Sequence, residues 1–178
     1  MKKNQIPFLI WFCFLSCAVS YLPSARFDED LYNQQLEKWQ SLNITNYSFN
    51  WCIHGNTPNE DIFGFVTRNG EVFTVKISYD KDFFNDEKVK NKVPQEGDEP
   101  YLTSIEDTFN LIQSTYHAQK ERFDKGELYT VNATANYNKD YYFPEYAGID
   151  IEEEPVKEGS IGRRNFLSFS ITDFTVLE

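Results

Sequence analysis

Cysteine is scarce in this chain, with three residues among 178. Cys13 and Cys17 fall within an apolar N-terminal stretch, which leaves Cys52 as the one side-chain thiol of the remainder and excludes an internal disulfide framework. Eight Gly and seven Pro are too few for a collagen-like or low-complexity chain. Basic residues are also few: 17 Lys and Arg face 28 Asp and Glu, for a net charge of −11. Affinity for nucleic acid comes mostly from neutralising phosphates, so this balance excludes a non-specific DNA or RNA binder. A Gly-rich phosphate loop and a nucleophile-elbow serine are absent from the sequence. The longest apolar run, residues 6–15, is shorter than the roughly 20 residues of a membrane-spanning helix. What remains is an ordinary globular composition, 40% hydrophobic and rich in aromatics, of a length suited to one domain.

The N-terminus reads as an export signal. Lys2 and Lys3 precede the apolar run, and small residues Ser16, Cys17, Ala18 and Ser20 follow it. Two processing sites compete. Phe14-Leu15-Ser16-Cys17 resembles a bacterial lipobox, which would make Cys17 the lipidated first residue; Ala18-Val19-Ser20 suits ordinary cleavage after Ser20. Either route predicts a leader over residues 1–20, a single domain over 24–178, and a protein that is lipid-anchored in the cell envelope or else secreted or periplasmic. Loss of Lys2 and Lys3 makes the exported part more acidic still, so membrane contact is expected only through an N-terminal lipid.

Periodicity predicts the elements. Tyr32, Leu36, Trp39 and Leu42 fall on one helical face after a polar lead-in at 24–30. Tyr47, Phe49, Trp51 and Ile53 alternate with Ser48, Asn50, Cys52 and His54, as in a strand with one wet face. Residues 55–61 read as a polar loop. Asn69-Gly70 predicts a hairpin with a two-residue turn, pairing Val66 with Phe73 and Gly64 with Val75, and Phe73, Val75, Ile77 and Tyr79 share its core face. Residues 80–100 are dense in charge and read as a solvated, mobile loop. Thr103-Ser104-Ile105-Glu106 has the form of a capping box, with Thr103 as N-cap, ahead of a helix carrying Ile105, Phe109, Ile112, Tyr116 and Phe123 on one stripe. Three further strands follow, near 129–137, 141–151 and 166–174. The order helix, three strands, helix, three strands predicts an α+β fold, a mainly antiparallel sheet of about six strands packed by two helices.

Several of these segments, in order, are shared with a known group of proteins. Leu36-Glu37-Lys38-Trp39, Asn46-Tyr47-Ser48-Phe49, Arg68-Asn69-Gly70-Glu71-Val72, Ser104-Ile105-Glu106-Asp107-Thr108-Phe109 and the stretch from Tyr137 to Asp150 together resemble a family of bacterial exported proteins and lipoproteins known only as a domain of unknown function. The likeness spans about residues 30–176. It implies export and a compact domain but supplies no reaction. The family often carries paired cysteines after its first strand, where this chain has Cys52 alone, and tends to have Gly where this chain has Tyr142.

Three constellations could carry chemistry. Cys52 and His54 share a strand face, as metal ligands must, but zinc wants three or four protein ligands, and His117 stands on the second helix with no sequence reason to join them. As a nucleophilic pair they point alongside each other rather than at a shared proton. Asp150, Glu152, Glu153 and Glu154 form an acidic cluster that a calcium ion or a carboxylate-based hydrolase could use, although no EF-hand spacing is present; charge runs of this kind ordinarily guard a sheet edge or face solvent. Three glycosylation triplets, at Asn43, Asn46 and Asn132, match chance expectation. No catalytic, cofactor or metal residue is assigned on sequence grounds; Cys17 alone is marked, for lipidation. The expected function is therefore non-enzymatic binding of an envelope protein or a small ligand. The alternative is a hydrolase or calcium-responsive domain built on residues 150–154. The binding reading, through one sheet face or the 80–100 loop, predicts an exposed aromatic or apolar patch among the surface residues.

Overall fold

A computed structural model describes residues 23–54, 61–78, 102–153 and 164–178. The leader, Cys17, Tyr79, the 80–100 loop and Glu154 lie outside the described residues. The elements are β1 (Ser24–Arg26), α1 (Glu29–Ser41), β2 (Asn46–His54), β3 (Ile62–Asn69), β4 (Val72–Ser78), α2 (Ile105–Asp124), β5 (Leu128–Tyr137), β6 (Pro144–Glu153) and β7 (Arg164–Val176).

The α+β class and the two helices agree with the sequence reading. The sheet roughly matches the expected one of about six mainly antiparallel strands, but its order differs. It has seven strands, β1-β5-β6-β7-β2-β3-β4, and is mixed rather than wholly antiparallel, because β1 pairs parallel to β5. The first element is thus a strand, at residues read as a polar lead-in. Three residues are too few to show a period, and β1 is held by its ladder to β5, a long-range contact.

Both helices pack on one face of the sheet. Asp28 caps α1, its carboxylate accepting from the Leu31 N–H at 2.9 Å, and the helix buries Tyr32 and Trp39. The N-cap of α2 is Ser104, not Thr103: its hydroxyl accepts from the Asp107 N–H at 3.1 Å, while Asp107 reaches back to accept from the Thr103 N–H at 3.0 Å. The box is shifted by one residue, which frees Glu106 to turn towards the core. Ile105, Phe109, Ile112 and Tyr116 are buried beneath α2, as the stripe predicts. On the sheet side, Tyr47, Phe49, Trp51, Val66, Val75 and Phe169 complete the main core. Gly64 is required there: the Trp51 ring lies against it so closely that a β-carbon would fall within 2.1 Å of the indole.

Two local features set the phase of the strands. The β3–β4 turn has Gly70-Glu71 at its centre, with a positive φ of 62° at Gly70 alone, the pattern of a Gly-first type II′ turn. Val66 therefore faces Val75, and Gly64 faces Ile77, two residues from the predicted register. A shift of two preserves the side-chain face, so Val75 and Ile77 still point to the core. In β7 a bulge at Asp173 (φ 53°) inserts one residue opposite Ser48–Asn50. That extra residue re-phases the strand, so Phe174 joins Ile171 on the core side and stacks among Trp39, Tyr141 and Phe143. Tyr142 also takes the left-handed conformation (φ 66°). Its ring lies 5.2 Å beneath the Lys38 ammonium.

Candidate functional site

With the apolar residues of β2 turned towards the helices, Cys52 and His54 are carried on the opposite face. Cross-strand register sets Tyr146, Ser170, Cys52 and Phe63 side by side in one row of that face, and Gly148, Ser168 and His54 in the next. Asp61 immediately precedes β3. Ile53 is paired with Ile62, and one step beyond them the register brings Asp61 opposite His54 at the mouth of the β2–β3 hairpin.

These side chains converge. Cys52 Sγ lies 3.5 Å from His54 Nδ1, and Asp61 Oδ2 lies 3.3 Å from the same nitrogen. The three donor atoms all fall within 4.8 Å of one another. On the other side of the ring, His54 Nε2 is 3.3 Å from Ser170 Oγ, which fixes the imidazole plane from β7. Cys52 is buried, with 8% of its surface exposed, whereas the His54 and Asp61 side chains are 38% and 22% exposed. The cluster thus has a dry floor and an open top.

Burial, assisted by the negative charge of Asp61, pushes the Cys52 thiol up to about 11. A thiol held in its protonated form at neutral pH is a poor nucleophile, because the thiolate is the reactive species. Cys52 and His54 do meet, contrary to the expectation that they only lie side by side, yet the contact does not activate the sulfur.

The residues beside the cluster are aromatic. Phe166 is 43% exposed, and both its ring and the Tyr146 hydroxyl lie over Gly148, whose missing side chain makes room for them. Phe63 stands next to Cys52 across the β2–β3 ladder. Of these aromatics Phe166 is the exposed one, with Phe63 and Tyr146 half-buried.

The other sequence candidates do not join this site. His117 is an exposed residue of α2, its ring 5.7 Å from that of Tyr116, on the helix side of the sheet. Asp150 is engaged by Arg164 through both carboxylate oxygens. An apolar cleft between α2 and the sheet, lined by Leu111, Ile112, Thr115, Ile149, Leu167 and Phe169, has no titratable side chain in its wall. Asp61 is the member of the cluster that sequence reasoning missed. It falls at the end of the segment that reads as a polar loop, and the signal that reveals it is the β2–β3 register, in which His54 and Asp61 are each one residue beyond the paired Ile53 and Ile62. Among the described residues no helix is long and apolar enough to cross a membrane. Comparison of the chain with protein-family models, with curated proteins and with solved structures finds no match.

Proposed function

We propose that this chain is an exported bacterial cell-envelope domain, anchored by lipid at Cys17, that binds a small ligand without transforming it. The observation that carries the ligand-binding part is the convergence of Cys52, His54 and Asp61 on one point of the outer sheet face, beside Tyr146, Phe166 and Phe63. Polar groups meeting at one spot fix the orientation of a ligand, and neighbouring aromatic surface supplies contact area. The protonated thiol favours binding over covalent catalysis. Export and anchoring rest on the leader, its lipobox-like exit and the motif order shared with the resembled family.

Native mass spectrometry of the full chain recovered from the envelope tests both halves. The expected result is a lipid-sized covalent increment that Cys17→Ser abolishes, plus a non-covalent adduct that His54→Gln abolishes. A chain of bare mass in every sample would overturn the reading.

A further inference from the structure

We propose that Cys52 Sγ, His54 Nδ1 and Asp61 Oδ2 bind one divalent transition-metal ion of the zinc class, leaving its fourth coordination position open. The inference rests on the binding role assigned above to the outer face, and names the ligand by its chemistry.

Two of the three donor separations fit as they stand, and the third, Sγ to Oδ2, is within 4.8 Å, which a rotation of the Asp61 side chain would close. Zinc holds sulfur at about 2.3 Å and nitrogen or oxygen at about 2.0–2.2 Å, so the edges of its coordination tetrahedron are roughly 3.3–3.6 Å. The two separations at His54 Nδ1 are 3.5 Å to sulfur and 3.3 Å to oxygen. As pairwise hydrogen bonds the two compete for one nitrogen. A single ring nitrogen also offers one in-plane direction, which cannot serve Sγ and Oδ2 together. One cation between them would take a lone pair from each, the Cys52 thiol giving up its proton to solvent as the sulfur coordinates.

The ring is also oriented for the task. A ligating histidine commonly donates its second N–H to an oxygen that fixes tautomer and plane, and Ser170 Oγ stands 3.3 Å from Nε2 in that role. The mixed sulfur, nitrogen and oxygen set selects the class of ion. Calcium and magnesium take oxygen donors in larger number, whereas thiolate with imidazole suits zinc and its spectroscopic stand-in cobalt. With three protein ligands among the described residues and His54 partly exposed, one position is left for water or for a donor group from solution. This chemistry reinstates a metal reading with a different third ligand, Asp61 in place of His117.

The test is titration of the full chain with cobalt(II), in a Cys13→Ser, Cys17→Ser background that leaves Cys52 as the one thiol. One equivalent of cobalt should raise a thiolate-to-metal charge-transfer band, which zinc then displaces. Cys52→Ser should remove the band. Zinc titration should show affinity lowered by roughly 10–100-fold in Ser170→Ala, and by at least as much in His54→Gln and Asp61→Asn. Circular dichroism checks that each variant is folded, and His54, being partly exposed, is the substitution least able to disturb packing. Absence of the band in a folded parent chain overturns the proposal, as does zinc affinity unchanged by His54→Gln. A metal-free result alongside an adduct on the envelope-derived chain removes the ion and leaves the small-ligand role standing. Loss of both removes both.

Discussion

Two polar clusters flank the sheet, and they are built on opposite terms. On the helix side, Glu106 accepts from Trp39 Nε1 at 2.9 Å and from Arg68 Nη1 at 3.0 Å. Tyr47 Oη accepts from the Ile105 N–H at 3.1 Å and from Arg68 at 3.2 Å, and it also lies 3.4 Å from Glu106. Arg68 Nε adds a bond to the Gly70 carbonyl at 2.9 Å. Every one of these donors has an acceptor, and the network ties α1, β2, β3 and α2 together. On the outer side, Cys52, His54 and Asp61 crowd a single nitrogen with longer contacts and an open top. The first arrangement is complete without any further molecule, as a structural polar network should be. The second is arranged around a point in space. The difference separates groups that hold the fold from groups positioned for something else.

Substitutions on the two sides should therefore differ in kind. The largest effect is expected for Trp39→Ala, which empties a fully buried site and removes a hydrogen bond. Denaturant unfolding should show a loss of about 3–5 kcal/mol. Glu106→Ala comes next, at about 2 kcal/mol, because it orphans the buried Trp39 N–H. The Arg68–Glu106 pair itself is 28% and 40% exposed and adds little to that figure. On the outer face, Cys52→Ser and His54→Gln should each change stability by less than about 1 kcal/mol in metal-free buffer. A loss of several kcal/mol in either variant would make the outer cluster a second structural network and erase the contrast. The same pair measured with excess zinc sharpens it, since the parent chain alone should gain in melting temperature.

The two clusters were also unequally legible. Alternation in β2 placed Tyr47, Phe49, Trp51 and Ile53 on the core side and Cys52 and His54 opposite, because a half-buried strand writes its two faces into a period of two. The stripe of α2 was legible for the same reason at a period of 3.6. Glu106 was misassigned to a cap because Thr103 and Ser104 both satisfy the local pattern, and only the contacts with Trp39 and Arg68 decide between them. Phe174 and Asp61 depend on pairing. A bulge in β7 brings one to the core, and hairpin register brings the other to His54. The order of the sheet, with β7 between β6 and β2, joins strands far apart in sequence that no local pattern could connect.

The parallel seat of β1 on β5 turns the sheet into a ruler. Ser24 begins that edge strand. From an anchor at Cys17, a chain of seven residues reaches at most about 25 Å. Under the proposed lipid anchor the β1 edge would be tethered within that radius of the bilayer, with β2 four strands further along the sheet, or about 19 Å across it at the usual inter-strand spacing. A molecule held at Cys52, His54 and Asp61, as proposed, would then be set back from the anchored edge by that width, on the broad side of the sheet. Its height above the membrane is then governed by how far the sheet tilts on its short leash.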